Sequence, residues 1–384
     1  MRYRTFGRTG LAMPVFSCGG MRFQESWVAN TPVGKKSQAN LLSTLQRAFA
    51  LGITHFETAR GYGTSEAQVG AALQSLPRDE IILQTKVAPR ADPAEFERHL
   101  EESFARLGVA RIDLFAFHGL NDTKTVEWTL RPGGCHEVAE RFRAQGRIGH
   151  IGFSTHASCR VITQAIESGR FDYVNLHWYF IFQENEPALA AAAAQDMGVF
   201  IISPSDKGGH LHTPRPLWQT LCAPLAPMQF NDLFCLSDPR VHTLSIGASK
   251  PQDFDAHVAV LPHLDDAAKV VAPVVARLQD QWVRALGDAF GGDYLAGVPE
   301  WEELPGGVNV RKIVWLFGLV KAFDLLPYAR SRYNMLGKDD PWFPGNKAVG
   351  CDAPALRAAL SAAPLADTLL GILPEAHRLL DNQS

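Results

Sequence analysis

Three features of the sequence predict a closed (β/α)8 barrel, an α/β fold that here carries a helical C-terminal extension. Up to about residue 264, short apolar runs alternate with amphipathic stretches, giving eight strand–helix units. Such strict alternation implies a parallel sheet, because a parallel strand needs a crossover to return. Eight repeats over roughly 250 residues suit a closed barrel better than an open sheet. No Gly-x-Gly-x-x-Gly follows any strand, which weighs against an open dinucleotide-binding sheet.

The elements follow in order. "VFSCGGM" reads as the first strand, and "SQANLLSTLQRAFALG" as a helix stopped at Gly52. "THFETA" is the second strand, followed by the helix "SEAQVGAALQSL" opening at Ser65. "IILQTK" leads to "PAEFERHLEESFARLG", with Pro93 early and Gly108 at the end, the usual helix asymmetry. Strand "IDLFAFH" is followed by helix "HEVAERFRAQG", and strand "IGHIGFS" by helix "RVITQAIESG". "YVNLHW" pairs with "ALAAAAAQDMG", and "VFIISP" with a helical pattern around 216–223. "VHTLSIGAS" and "PQDFDAHVAVL" complete the eighth unit.

The 384 residues are 46% hydrophobic and 20% charged, the composition of a globular protein. The formal charge of −3 and a pI near 6.5 argue against nucleic-acid or anionic-membrane partners. No apolar run spans a bilayer and "MRYRTFGRTG" has no signal-peptide core, so a cytoplasmic location is expected. Six scattered cysteines without a Cys-x-x-Cys pair read as reduced thiols, and no metal site is expected.

In such a barrel the chemistry sits where the strands end. The strand-end residues are Gly19, Gly20 and Met21; Glu57 and Tyr62; Lys86; His118; Ser154, Thr155 and His156; Asn175; Ser203 and Pro204; and Gly247 to Lys250. Taken singly, each polar group has an ordinary explanation: a solvated lysine, a structural histidine, a packing tyrosine, a rim carboxylate. The barrel brings Glu57, Tyr62, Lys86 and His118 to one mouth. An ammonium beside a phenol favours the phenolate and lowers its pKa by about 1–3 pH units. Tyr62 would then act as general acid, Glu57 would anchor Lys86, and His118 would steer a carbonyl oxygen. Such a site suits carbonyl reduction, with hydride supplied by a cofactor.

These residues resemble the aldo-keto reductases, NAD(P)H-dependent (β/α)8 barrels. "YRTFGRTGLAMPVFSCGGMRF" is similar to the family's opening hairpin and first strand, and "FETARGYGTSEAQVG" to its Phe-Asp-Thr-Ala…Tyr-Gly…Glu…Leu-Gly motif. "LQTKV", "RIDLFAFH" and "GRIGHIGFST" follow in family order, and the likeness covers about residues 1–260. It implies Tyr62 as proton donor, Lys86 as the group that tunes it, His118 as carbonyl guide, and Glu57 in the place of the family aspartate. It also implies Ser154 and Asn175 on the nicotinamide carboxamide. Gly20, Met21 and Gly247 would be further cofactor contacts at the strand ends. Ser203, Ser205, Lys207 and Gly208 would span the pyrophosphate, with Ser249 and Lys250 on an adenosine 2′-phosphate. Lys250 tilts the expectation to NADPH, with NADH open. Thr155, Ile202, Asp253 and His257 depart from the family pattern, which leaves nucleotide preference open.

Residues 1–264 are thus read as the barrel domain and 265–384 as a helical extension. Within the family the extension is similar to a branch with a ferredoxin-like module, including cyanobacterial-type members. "PGGVNV", "YARSRYNML" and "PEAHRLL" carry that likeness. Only Cys351 lies there and a [4Fe–4S] cluster needs four thiolates, so no iron–sulfur cluster is expected. The expected activity is NAD(P)H-dependent reduction of a small-molecule aldehyde or ketone. The alternative is a nucleotide-binding, catalytically weak barrel serving as a redox-sensing or partner-binding subunit. Trp27 and Trp128, in segments that follow strands, are candidate substrate walls.

Overall fold

The computed structural model describes residues 1–382, so the last two residues assigned to the extension lie outside the described residues. Two short antiparallel strands, β1 (Tyr3–Thr5) and β2 (Ala12–Pro14), form a hairpin. Eight parallel strands then close a barrel: β3 (Phe16–Gly19), β4 (His55–Glu57), β5 (Ile82–Val87), β6 (Ile112–His118), β7 (Ile148–Ser154), β8 (Tyr173–Leu176), β9 (Gly198–Ile201) and β10 (Thr243–Ile246). β10 pairs with both β9 and β3, which closes the ring and leaves no sheet edge. Six of the eight fall inside the stretches read as strands; β5 runs one residue further, to Val87, and β9 begins one residue earlier, at Gly198. The fold is the (β/α)8 TIM barrel with additional C-terminal helices.

Alternation along each strand sends every second side chain inward. At the hairpin end the interior is apolar: Phe6 and Met13 pack with Leu114, Ala116, Tyr173 and Phe200, all fully buried. Polar groups are buried at the same level, with Ser17, His55, Gln84 and Thr243 inside; Gln84 pairs in register with Leu114 and Thr243 with Phe200. The crossover helices form where propensity and caps agree. Pro93–Leu107 starts with Pro93 at its first turn and the Asp92 carboxylate accepting from the Ala94 amide, and ends at Gly108 in the left-handed region.

The structure adds helices that the sequence reading did not delimit. The loop after β6 carries the helix Thr123–Leu130, started by a capping box at Asp122. A further helix, Pro227–Ser237, precedes β10. "RKIVWLFGLVKAFDLLPYARSRYNML" is two helices, Val310–Phe323 and Leu326–Tyr333, broken at Asp324 in the left-handed region.

The chain divides into two compact units. One holds residues 1–208 and 231–268; the other holds 209–230 and 269–384. Residues 209–230, read from sequence as barrel, therefore cluster with the C-terminal residues. In that second unit Trp218 packs on Phe323 at 4.9 Å between ring centroids, and the Arg277 guanidinium donates to the Leu221 carbonyl at 2.8 Å. Trp342 and Phe343 are buried there, with Phe343 stacked on Trp315.

Candidate active site

The register of the sheet sets the site. Gly19 pairs with Glu57, and Glu57 with Gln84 two residues before Lys86. His118 pairs with Ser154, and Ser154 with Asn175. Strand ends that neighbour one another around the ring therefore deliver their side chains to one mouth.

Lys86 and Glu57 form a buried ion pair, 2% and 6% exposed. The Lys86 ammonium donates to Glu57 Oε2 and, at 2.8 Å, to the Thr58 carbonyl. Glu57 Oε1 accepts from the Ser245 hydroxyl at 3.3 Å. The extra methylene of glutamate is taken up here: the carboxylate reaches toward β10, and Gly19 leaves the room. A Cβ on Gly19 would lie 2.7 Å from Ser245 Oγ and 3.1 Å from Glu57 Oε1.

The Lys86 ammonium lies 5.0 Å from the Tyr62 ring centroid, and the His118 ring meets Tyr62 edge-on at 5.5 Å. The turn that presents Tyr62 depends on Gly63, which has φ +56°. A Cβ there would come within 1.9 Å of the Ser26 carbonyl oxygen and 2.6 Å of Trp27 Cα. The Thr64 amide donates to that same Ser26 carbonyl at 3.0 Å. The segment bearing Trp27 is thus seated on the Gly-Tyr-Gly turn, with the Trp27 side chain 63% exposed.

Burial, the largest influence on Lys86, lowers its pKa, but the charges and hydrogen bonds of Glu57 and Tyr62 outweigh it and hold the lysine above its ordinary value. Burial lifts the Tyr62 phenol above its ordinary 10.0; Lys86 pulls it down and Glu57 pushes it up. This corrects one expectation. Lys86 acts on Tyr62 with the expected sign, yet desolvation of the phenolate is the stronger effect. His118 is pushed down to about 3 by burial and then by Lys86. At neutral pH the site therefore holds a charged lysine, a protonated phenol and a neutral imidazole.

The remaining sequence-derived residues are distributed around this centre. The Gly20 amide donates to the Glu57 carbonyl at 2.7 Å, and Met21 is 42% exposed. Ser154 Oγ accepts from the Gly119 amide at 3.2 Å. Asn175 is fully buried with both amide atoms unpaired. The Ser205 hydroxyl is likewise buried without a partner. A carboxamide, which offers both a donor and an acceptor, matches Asn175 and the adjacent Ser154, so the donor set fits the nicotinamide the sequence implied. Thr155, in the place of an asparagine, gives its hydroxyl to the Leu120 carbonyl at 2.7 Å. Ser203 sits in the left-handed region before the helix Pro204–Lys207, which Gly208 closes. The Lys207 ammonium lies 3.1 Å from His156 Nδ1 and 3.2 Å from His177 Nε2.

Gly247 follows β10, where a Cβ would meet Arg22 Cδ at 3.2 Å. Beyond it, the Ser249 amide and hydroxyl and the Lys250 amide all donate to Asp253 Oδ2, at 2.8, 2.9 and 3.3 Å. Sequence reading missed Ser245 as a partner of Glu57; its place two residues before Gly247, on the inward alternation, was the available signal. It also missed that Asp253 turns back onto Ser249 and Lys250. Among the described residues, no three or more His, Cys, Asp or Glu side chains gather as a metal site, and the six cysteines are free thiols.

Residues 16–212, just over half of the chain, match the model of the aldo/keto reductase family. The chain belongs to this family. It is an oxidoreductase of carbonyl compounds. This aldo/keto reductase is 24% identical over 297 residues to a D-threo-aldose 1-dehydrogenase from a Pseudomonas species, an alignment that covers 63% of this chain and 87% of that relative. It is 26% identical over 239 residues to the uncharacterized oxidoreductase YrpG of Bacillus subtilis (strain 168), covering 55% of this chain and 68% of the relative. Among solved structures it is similar in fold to the holo form of an aldo-keto reductase from Bacillus halodurans, with a TM-score of 0.58 at 20% identity, over 70% of this chain and 96% of the other. A Klebsiella pneumoniae aldo-keto reductase, solved in complex with NADPH, gives a TM-score of 0.56 at 19% identity, over 70% and 93%. Among the described residues no helix is long and apolar enough to cross a membrane.

Proposed function

We propose that this aldo/keto reductase reduces an aldehyde or ketone to the alcohol, with a nicotinamide dinucleotide as reductant and Tyr62 as the proton donor. The observation that carries the reading is the packed set at the mouth: Lys86 anchored by Glu57 and Thr58, Tyr62 beside the ammonium, and His118 edge-on to the tyrosine. When bound, the dinucleotide supplies hydride to the carbonyl carbon. Tyr62 gives its phenolic proton to the oxygen as negative charge develops there. An alkoxide is far more basic than a phenolate, so a phenol with a raised pKa still transfers its proton downhill. Lys86 offsets the charge that Tyr62 acquires, and Glu57 keeps Lys86 in place. His118, neutral, offers an N–H to the carbonyl oxygen. Ser154 and Asn175 hold the carboxamide, and the unpaired amide of Asn175 supports that role.

Within this reading the expectation of NADPH rests on Lys250. A specific observation favours NADH instead: the Ser249 amide and hydroxyl and the Lys250 backbone amide already serve the Asp253 carboxylate. Burial raises the pKa of Asp253, but those hydrogen bonds outweigh it and hold the carboxyl below its ordinary range. A 2′-phosphate would have to displace a carboxylate of its own charge sign, whereas a ribose hydroxyl can donate to it.

Turnover on a panel of aldehydes, with fluorescence titration of NADH and NADPH, tests the proposal. Tyr62→Phe should lower the reduction rate at least about 10²-fold while leaving dinucleotide affinity within about twofold. Near-normal turnover in that variant would remove Tyr62 from its role. NADH should bind more tightly than NADPH; the reverse order returns the preference to Lys250.

A further inference from the structure

The glutamate of "FETARGYGTSEAQVG", Glu66, takes no part in the reaction at Tyr62, yet it is fully buried on the helix Ser65–Leu73. Lys86 points into the barrel, so by alternation its neighbour Thr85 points out. The Thr85 hydroxyl donates to Glu66 Oε1 at 2.7 Å. Burial pushes the Glu66 carboxyl above its ordinary value, and Thr85, Ser103, Arg106 and Arg60 oppose that push.

From Glu66 the polar contacts run round a closed circuit. Glu66 Oε2 faces Arg106 Nη1 at 3.7 Å, a contact by charge rather than by hydrogen bond. Arg106 pairs with Glu102 at 3.5 Å, and Glu102 binds the Arg60 guanidinium. The Arg60 amide donates to the Lys86 carbonyl at 2.9 Å, one residue from Thr85, where the circuit began. Gly70, the glycine of the same motif, sets the Arg106 link. A Cβ there would lie 2.5 Å from the Leu107 carbonyl carbon's oxygen, so the helices Ser65–Leu73 and Pro93–Leu107 touch beside Arg106.

Arg60 lies between Glu57 and Tyr62 in the chain. The Tyr62 amide donates to the Ala59 carbonyl and the Ser65 amide to the Tyr62 carbonyl, both at 3.0 Å, and these local bonds shape the turn. Where the turn sits depends on its ties to the neighbouring strands. Toward β3, the Ser65 hydroxyl donates to the Gly20 carbonyl at 2.8 Å. Toward β5 stand the Arg60 amide and the circuit.

We infer that Thr85, Glu66, Arg106, Glu102 and Arg60 position the Tyr62 turn against Lys86 from outside the barrel, with Glu66 as the buried positioning residue. The inference rests on the proposed function. Carbonyl reduction needs the phenol held beside the ammonium, and a misplacement of about 1 Å can cost about 10²-fold in rate. Opposite charges alternate round the circuit. Removing one carboxylate leaves the Arg60 and Arg106 cations facing each other, and their repulsion pulls Arg60 and the turn it belongs to out of place.

Glu102 is the place to cut, because its side chain is 49% exposed and exposed ion pairs contribute little to stability. Glu102→Gln should lower kcat for aldehyde reduction about three- to tenfold, while NADH affinity stays within about twofold and the urea midpoint holds. Glu101→Gln removes an ion pair with Arg147, outside the circuit, and should leave kcat unchanged. Glu66→Gln keeps an acceptor for Thr85 but loses the charge facing Arg106, and should lower kcat at least as far as Glu102→Gln. The double variant should lose no more than Glu66→Gln alone, because both open one circuit. Hydrogen-exchange mass spectrometry gives a readout that needs no turnover: exchange over residues 58–64 should quicken in Glu102→Gln and not in Glu101→Gln. An unchanged kcat or unchanged exchange in Glu102→Gln overturns the inference, even where Glu66→Gln fails to fold. An equal loss in Glu101→Gln overturns it too, by assigning the effect to surface charge in general. If the unaltered protein reduces no aldehyde with NADH or NADPH, the proposed function falls. The exchange comparison then decides the positioning alone: faster exchange in Glu102→Gln upholds it and unchanged exchange overturns it.

Discussion

Glu57 is where one methylene changes the design of the site. Its two oxygens serve two strands, Oε2 holding Lys86 and Oε1 taking the Ser245 hydroxyl. Aspartate at this position keeps the charge beside Lys86 and gives up the reach to Ser245. Glu57→Asp should therefore retain activity within about tenfold, the scale of one hydrogen bond to a charged group. Glu57→Gln removes the charge and leaves a buried ammonium without its counter-ion, which costs about 3–5 kcal/mol when the lysine stays charged. It should lose at least about 10²-fold in rate and unfold at lower urea concentration. If both variants keep the same rate and stability, Lys86 draws its support from the Thr58 carbonyl and Glu57 is a bystander. The identities of Glu57, Tyr62, Lys86 and His118 were legible in the sequence because each ends a predicted strand or follows one closely. Their protonation states were not, because desolvation depends on what the rest of the chain packs around them.

At the scale of the element, the Gly61-Tyr62-Gly63 turn is a seat for the segment that carries Trp27. Gly63 adopts a left-handed backbone, and the Ser26–Trp27 backbone occupies the space a side chain would need. Gly63→Ala should destabilise the protein by at least about 1–2 kcal/mol through backbone strain alone. It should also reduce turnover by displacing Tyr62, while Gly10→Ala, open on all sides but also left-handed, should cost only the backbone strain. Urea unfolding and initial rates on the two variants check this; equal losses of activity would show that the close approach to Trp27 does not matter. The strands were readable because apolar alternation and Gly or Pro punctuation agree there. The helix Thr123–Leu130 was not, since its polar, Thr-rich sequence has weak periodicity and declares itself chiefly through the Asp122 cap.

At the scale of the whole molecule, the connection between β9 and β10 belongs with the C-terminal residues, although it is encoded inside the barrel. Residues 209–230 bury Trp218 and Leu221 within the second unit, where Phe323 and Arg277 meet them. A chain cut after residue 268 would leave those groups without their partners. It should be poorly soluble and unfold well below the full chain in a thermal or urea melt. A truncated chain as soluble and as stable as the full one would mean that the connection folds without the C-terminal helices. The linear sequence places residues 209–230 between two barrel strands and so assigns them to the barrel; the contacts they make are with residues more than fifty positions downstream.

From its sequence alone, this protein's eightfold alternation, the order of its strands and the chemical groups at their ends were determined, because those depend on periodicity and turn residues along the chain. Tertiary structure alone decided that Glu57 bridges two strands, that burial outweighs Lys86 at Tyr62, and that His156, His177 and Lys207 meet. Each of these depends on distance, desolvation or hydrogen-bond direction between residues far apart in sequence, and no local pattern encodes them.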